Sequence, residues 1–192
     1  MARSLFIISI AILLLNCNQP HYKYPHIIII TSEGDIEVEL YPDKAPKTVA
    51  AFLSYIDSGY FKNSAFYRVL ITEDMGGHGY GVIQGGISQN NQKLYNSIPT
   101  IVHESTKQTG LSHTDGTISL ARTTPGTAST EFFICVEDQK QFDYGQGLGD
   151  NQGFATFGKV FSGMDIVRKI QLLPSKGEDF IEKVKINNVQ RL

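Results

Sequence analysis

Ser129-Thr130-Glu131-Phe132-Phe133-Ile134-Cys135-Val136 is the stretch on which the reading of the fold turns. Three polar residues lead into an unbroken apolar run too short for a helix, and its aromatic and β-branched content marks a buried strand. Successive side chains leave a strand on opposite faces. Phe132 and Phe133 therefore diverge, one ring entering a core and the other facing outward or into a groove. Cys135 in this setting is a small hydrophobe, too apolar in its surroundings to be a nucleophile.

Outward from this strand, similar short runs recur with turn residues between them. Residues 117–121, 82–85, 66–71 and 154–161 are strand candidates, and 181–190 reads as a final strand. Near the start, residues 27–31 are apolar, Ser32-Glu33-Gly34-Asp35 is a turn, and Ile36-Glu37-Val38-Glu39-Leu40 alternates with period two. That is a hairpin with one buried face. Residues 46–58 carry Val49, Phe52, Leu53 and Ile56 at helical spacing, with Pro46 suited to the first turn and Gly59 to the C-terminal end. A second helix runs over 164–172 and is stopped by Pro174. Many short strands with two helices predict a closed eight-stranded antiparallel β-barrel capped by two α-helices. Two polar loops, 90–115 and 137–152, are long for a compact domain and read as walls around a groove.

The 192 residues fit one domain plus short extras. With 17 basic and 19 acidic residues, the formal charge of −2 offers no electrostatic footprint for nucleic acid. No heptad or long apolar stripe requires a dimer, so a monomer is expected. Arg3 followed by an apolar run over 5–15 has the form of a signal-peptide core, too short to span a bilayer. The run ends Leu14-Leu15-Asn16-Cys17, which resembles the bacterial lipoprotein signal, in which the Cys becomes acylated. Asn16 departs from the usual small residue before that Cys, and an ordinary secretory signal is the alternative. On the lipoprotein reading, residues 1–16 are signal, Cys17 is the lipidation site, 17–25 a tether and 26–192 the folded domain. The eight residues from Asn18 reach at most about 28 Å. The protein is then exported and membrane-anchored, on the periplasmic side or at the outer membrane.

Most reaction chemistries find no support. His21, His26, His78, His103 and His113 show no ligand spacing, so no metal is expected. His113, just before a turn and strand, reads as a hydrogen-bonded structural histidine. Gly76-Gly77-His78-Gly79-Tyr80-Gly81 precedes a strand, whereas a phosphate cradle needs a helix N-terminus. No Gly-x-Ser-x-Gly elbow occurs. What remains suits an apolar peptide: Arg68 on a strand, Gln84 before Gly85-Gly86, and one ring of the Phe132-Phe133 pair.

At this point the chain resembles the cyclophilins from His26 onward. The matching runs are Phe66-Tyr67-Arg68-Val69, Val82-Ile83-Gln84-Gly85-Gly86, Gly116-Thr117-Ile118-Ser119-Leu120-Ala121-Arg122, the stretch from Ser129 to Cys135, and Gly153-Phe154-Ala155-Thr156-Phe157-Gly158-Lys159-Val160. The resemblance implies a peptidyl-prolyl cis-trans isomerase acting on proline-containing polypeptides without a cofactor. It implies Arg68 as the catalytic arginine and Gln84 as the glutamine holding the substrate backbone. Val82, Phe133, Phe142 and Phe154 then line the proline pocket, and Ala121, Arg122 and Glu131 line the groove beside it. Departures from the family pattern are the extra residues around 72–80, Gly81 and Val82 in place of Phe and Met, Phe154 in place of His, and Gln141 in place of Trp. They predict a shallower pocket and weak cyclosporin binding. A non-catalytic proline-peptide chaperone or membrane assembly factor is the second reading.

Overall fold

Strands alternating between an apolar and a polar face close into a ring only if each finds a partner on both sides, and here eight of them do. The computed structural model describes residues 22–73, 79–147 and 149–192; Cys17 and the apolar run before it lie outside these. Strands β1 (His26–Thr31), β2 (Asp35–Leu40), β3 (Ser64–Glu73), β4 (Gly79–Gly86), β5 (Thr117–Leu120), β6 (Phe132–Val136), β7 (Ala155–Ser162) and β9 (Asp179–Arg191) form the ring. Their order is β1-β2-β7-β5-β6-β4-β3-β9, and β9 pairs back onto β1 from Ile27↔Arg191 to Thr31↔Ile186. Every pairing is antiparallel. A two-residue strand, β8 (Ser175–Lys176), makes a hairpin with the start of β9.

The ring is filled by one face of each strand. Ile27, Ile29, Ile36, Val38, Phe66, Ile83, Phe132 and Phe157 are all fully buried. Helix α1 (Pro46–Asp57) closes one end, where Phe52 meets Phe61, Phe132 and Phe157 at centroid distances of 4.9, 5.7 and 4.9 Å. Pro46 lies in its first turn, and Gly59 follows its end with φ of 69°, as the helix-stop reading requires. Helix α4 (Met164–Gln171) covers another part of the core with Val167 and Ile170.

Three features extend the expected pattern. The 90–115 loop contains two short helices, α2 (Gln92–Ser97) and α3 (Thr106–Thr109). Asn91 accepts the Leu94 N–H at the first, and a Ser105/Gln108 capping box opens the second. Strands β3 and β4 run on past the barrel into the extra segment, pairing as far as Glu73↔Gly79; residues 74–78 lie outside the described set. Residues 22–25, expected as free tether, pack on the domain: Pro25 accepts the Leu40 N–H at 2.9 Å and Tyr22 stacks on His26 at 3.6 Å.

Candidate active site

A β-bulge builds the site. Phe66 pairs with Gly85 and Arg68 with Gln84, so Tyr67 is an extra residue in β3. Strict alternation is broken there, and Phe66 and Val69 both enter the core. Tyr67 and Arg68 both face the outer groove. Bulges re-aim side chains in this way next to functional sites. On β6 the alternation holds: Phe132 fills the barrel, while Phe133 and Cys135 join Val82 in a second apolar cluster on the outside. Leu70, Ala121, Phe142 and Phe154 pack against it.

This outer cluster is one wall of a groove of ≈ 550 Å³. Arg68, Gln84, Val82, Ala121, Arg122, Glu131, Phe133, Phe142 and Phe154 all line it. Phe133, Phe142 and Phe154 meet edge to face, with centroids 5.4–5.6 Å apart. Such packing makes a firm apolar floor. Arg68 Nη1 donates to Gln84 Oε1 at 2.9 Å across the β3–β4 pair. Its Nε donates to Glu178 at 2.8 Å, and Nη2 reaches the same carboxylate. A guanidinium carries five N–H groups. Among the described residues three are used, which leaves one on each Nη that a bound peptide could take. The Arg68 side chain is 35% exposed, accessible yet flanked by apolar surface.

Beneath the groove, His113 is fully buried and lies parallel to Phe133 at 5.8 Å. Its Nδ1 contacts Asp143 at 2.6 Å and its Nε2 contacts Ser119 at 3.1 Å. Burial lowers its proton affinity, opposed by the Asp143 carboxylate. The Asp–His–Ser order resembles a hydrolytic relay, yet Ser119 is sealed from solvent. The arrangement is structural. Cys135 is likewise sealed, and burial pushes its thiol far above the usual range. Among the described residues no cluster of metal-ligating side chains occurs.

Among the described residues, Arg122 has partners for four of its five N–H groups. It grips Asp150 with both Nη atoms at 2.7 and 2.8 Å, and its Nε donates to the Gly153 carbonyl at 2.9 Å. The hydrogen bonds from Arg122 hold Asp150 at about 2. Glu131 is 6% exposed, with both oxygens engaged. Sequence reasoning missed Tyr67, Ser88, Tyr95 and Glu178 as groove or site residues. For Tyr67 the bulge concealed its direction. Glu178 comes from the β8–β9 turn, 110 positions from Arg68, and no local pattern links the two.

Comparison with known proteins agrees with this geometry. Residues 26–191 match the family described as "Cyclophilin type peptidyl-prolyl cis-trans isomerase/CLD". The chain is 36% identical over 146 residues to peptidyl-prolyl cis-trans isomerase A of Dickeya dadantii, covering 76% of this chain and 70% of that one. It is 35% identical over 142 residues to isomerase B of Escherichia coli, covering 73% and 80%. A cyclophilin-type isomerase from Cryptosporidium parvum superposes with a TM-score of 0.70 at 24% identity, covering 88% of this chain and 98% of its own, which supports the fold. The chain belongs to the cyclophilin-type peptidyl-prolyl cis-trans isomerases. Its activity is the cis-trans isomerisation of peptidyl-prolyl bonds.

Proposed function

We propose that Arg68 is the residue on which turnover depends, with Gln84 holding the client backbone and the Phe133–Phe142–Phe154 floor holding the proline ring. The single observation that carries this is the 2.9 Å contact between Arg68 and Gln84 at the rim of that apolar floor. Turning a prolyl amide out of plane breaks its resonance against a barrier of about 18–20 kcal/mol. The twisted nitrogen becomes pyramidal and regains a lone pair. A free Arg68 N–H donates to that lone pair, a contact stronger in the transition state than in either planar ground state. Arginine suits this role because it keeps its charge and is weakly hydrated. Lowering the barrier by about 5–7 kcal/mol corresponds to roughly 10⁴–10⁵-fold. The substrates are proline-containing polypeptides; a related Cryptosporidium parvum structure was obtained in the presence of the dipeptide Ala-Pro. The deciding experiment is a proline-limited refolding assay of Arg68→Ala on the folded domain. Loss of most activity with an unchanged melting temperature supports the assignment, and near-full activity rejects it.

The second part of the proposal is the location: an exported isomerase held at a membrane through acylated Cys17. The sequence Leu14-Leu15-Asn16-Cys17 supports it. Because residues 22–25 pack on the barrel, only residues 18–21 separate the domain from that anchor, a reach of about 14 Å. Tyr22 stacks on His26 of β1 and meets Phe161 of β7 edge-on at 6.0 Å. Labelled-palmitate incorporation that disappears in Cys17→Ala supports the anchor, and equal labelling of both forms rules it out.

A further inference from the structure

We infer that Glu131 is a positioning residue whose carboxylate sets the direction of a hydrogen-bond relay, Glu131–Tyr67–Gln84–Arg68, and so decides how Gln84 presents itself to Arg68. This builds on the role proposed above for Arg68 and Gln84.

The two ends of the relay have opposite and inflexible character. Glu131 Oε1 accepts from the backbone N–H of Ile87 at 2.8 Å, that of Ser88 at 3.0 Å and the Thr130 hydroxyl at 3.3 Å. Its Oε2 accepts from the Ser88 hydroxyl at 2.9 Å and the Tyr67 phenol at 2.5 Å. An ionised carboxylate only accepts, and a guanidinium only donates. Both groups between them are ambivalent: a phenol does either, and a primary amide offers an oxygen on one side and an NH₂ on the other. Because Tyr67 donates to Glu131, its oxygen is left to accept, and it takes an N–H from Gln84 Nε2 at 2.8 Å. Gln84 Oε1 is thereby turned to Arg68 Nη1 at 2.9 Å. Burial and the neighbouring Glu131 keep the Tyr67 phenol protonated far above its usual range, so the donor stays in place.

One assignment satisfies every group. Room for it comes from Gly86, where a β-carbon would fall 2.3 Å from Glu131 Oε1.

An amide at position 131 breaks this logic without changing shape. The two backbone N–H groups claim its oxygen, so its NH₂ faces Tyr67. The phenol then either keeps its own proton unpaired or donates to Gln84, which flips the amide and sets NH₂ against the guanidinium. The first outcome leaves the buried Tyr67 proton unmatched, and the second sets two donors against each other at the half-buried Gln84–Arg68 contact. Removing the phenol removes the conflict, because Gln84 Oε1 can still face Arg68 with Phe at 67.

The test compares Glu131→Gln, Tyr67→Phe and the double variant by kcat/KM, alongside NMR of the Gln84 side-chain amide in each. Glu131→Gln is expected to lose about tenfold in kcat/KM and to move the Gln84 amide signals. Adding Tyr67→Phe is expected to restore activity to the level of Tyr67→Phe alone. A purely structural Glu131 gives no such rescue. Wild-type activity with unmoved Gln84 signals in Glu131→Gln overturns the inference, as does a loss that Tyr67→Phe fails to relieve. If Glu131→Gln does not fold, Tyr67→Phe decides alone: the relay requires its Gln84 NH₂ signals to shift, and unchanged signals overturn it. The amide signals report the relay whatever Arg68→Ala shows about catalysis, so failure of one reading is distinguishable from failure of the other.

Discussion

Glu104 lies across the N-terminus of α1, its Oε2 2.8 Å from the Thr48 amide and 2.7 Å from the Thr48 hydroxyl, although 56 positions separate the two residues. Its Oε1 accepts the Lys47 N–H at 3.2 Å. Ala45 sits at the N-cap position and supplies no side-chain hydrogen bond. The long loop therefore provides what the helix lacks, and a negative charge there also suits the helix dipole. Glu104→Ala strands buried donors and should cost about 1–3 kcal/mol in denaturant unfolding, with little change in kcat/KM. A loss below about 0.5 kcal/mol would mean that water replaces the carboxylate without penalty.

Gly86 should prove intolerant of any side chain. Its φ of 149° lies in the glycine-favouring region, and a β-carbon would strike the Glu131 carboxylate. Gly59 makes a fair control, since its φ is 69° but nothing lies within 4 Å of the added atom. Gly59→Ala should lose only the conformational term, about 1 kcal/mol. Gly86→Ala should lose at least about 2 kcal/mol and reduce isomerase activity with it. Equal losses for the two variants in chemical denaturation would show that the clash relaxes freely.

The barrel was legible because each strand carries its own signal. Ile36-Glu37-Val38-Glu39-Leu40 alternates, and Phe132 to Val136 is apolar throughout, so eight strands and the helices near 46–58 and 164–172 could be read locally. Helices α2 and α3 are too short for periodicity to register. The Ser105-x-x-Gln108 cap was the one available sign of α3. At the site, Arg68, Gln84 and the aromatic floor came from motif resemblance, whereas Tyr67 and Glu178 escaped. A strand with perfect alternation cannot place both Tyr67 and Arg68 on one face. Only the bulge does so, and a bulge arises from pairing between strands, which one strand's sequence does not display.

The buried His113 predicts loss of stability in acid. Burial drives its folded pKa below the ordinary 6.5. The unfolded chain therefore takes up a proton that the folded one refuses as the pH drops past 6.5. Its contribution is complete above 6.5 and fades as the pH falls toward the folded value. Asp143 adds a later step. Burial alone would raise its pKa, but hydrogen bonds from His113 and Ser112 hold it below 3.8, so its contribution is present above 3.8 and lost as the pH falls through the lower folded value. Unfolding free energy should fall by up to about 1.4 kcal/mol per pH unit just below 6.5. His113→Gln should be less stable at neutral pH yet show a flatter slope there. Parallel curves for the two proteins would remove His113 as the cause.

Glu178 predicts charge selectivity. It contacts the Nε and Nη2 edge of Arg68 from the β8–β9 turn, and the Val69 N–H donates to its own carbonyl at 2.7 Å, which holds that turn beside the groove. The pair is open to solvent, with side chains 35% and 58% exposed, so its contribution to stability is small, roughly 0–1 kcal/mol. Its effect on a bound peptide is larger in consequence, because a carboxylate next to Arg68 disfavours an acidic residue beside the client proline and favours a basic one. Glu178→Gln keeps the shape and an oxygen acceptor while removing the charge. The ratio of kcat/KM for a peptide with Asp next to proline to that for one with Lys should rise about threefold or more at low ionic strength, since unit charges several ångströms apart in water interact by about 1 kcal/mol. High salt screens the exposed carboxylate and should shrink the difference between variant and wild type. A ratio that stays constant on substitution, or that changes equally at all salt concentrations, would remove Glu178 from client selection and leave it only the task of orienting Arg68.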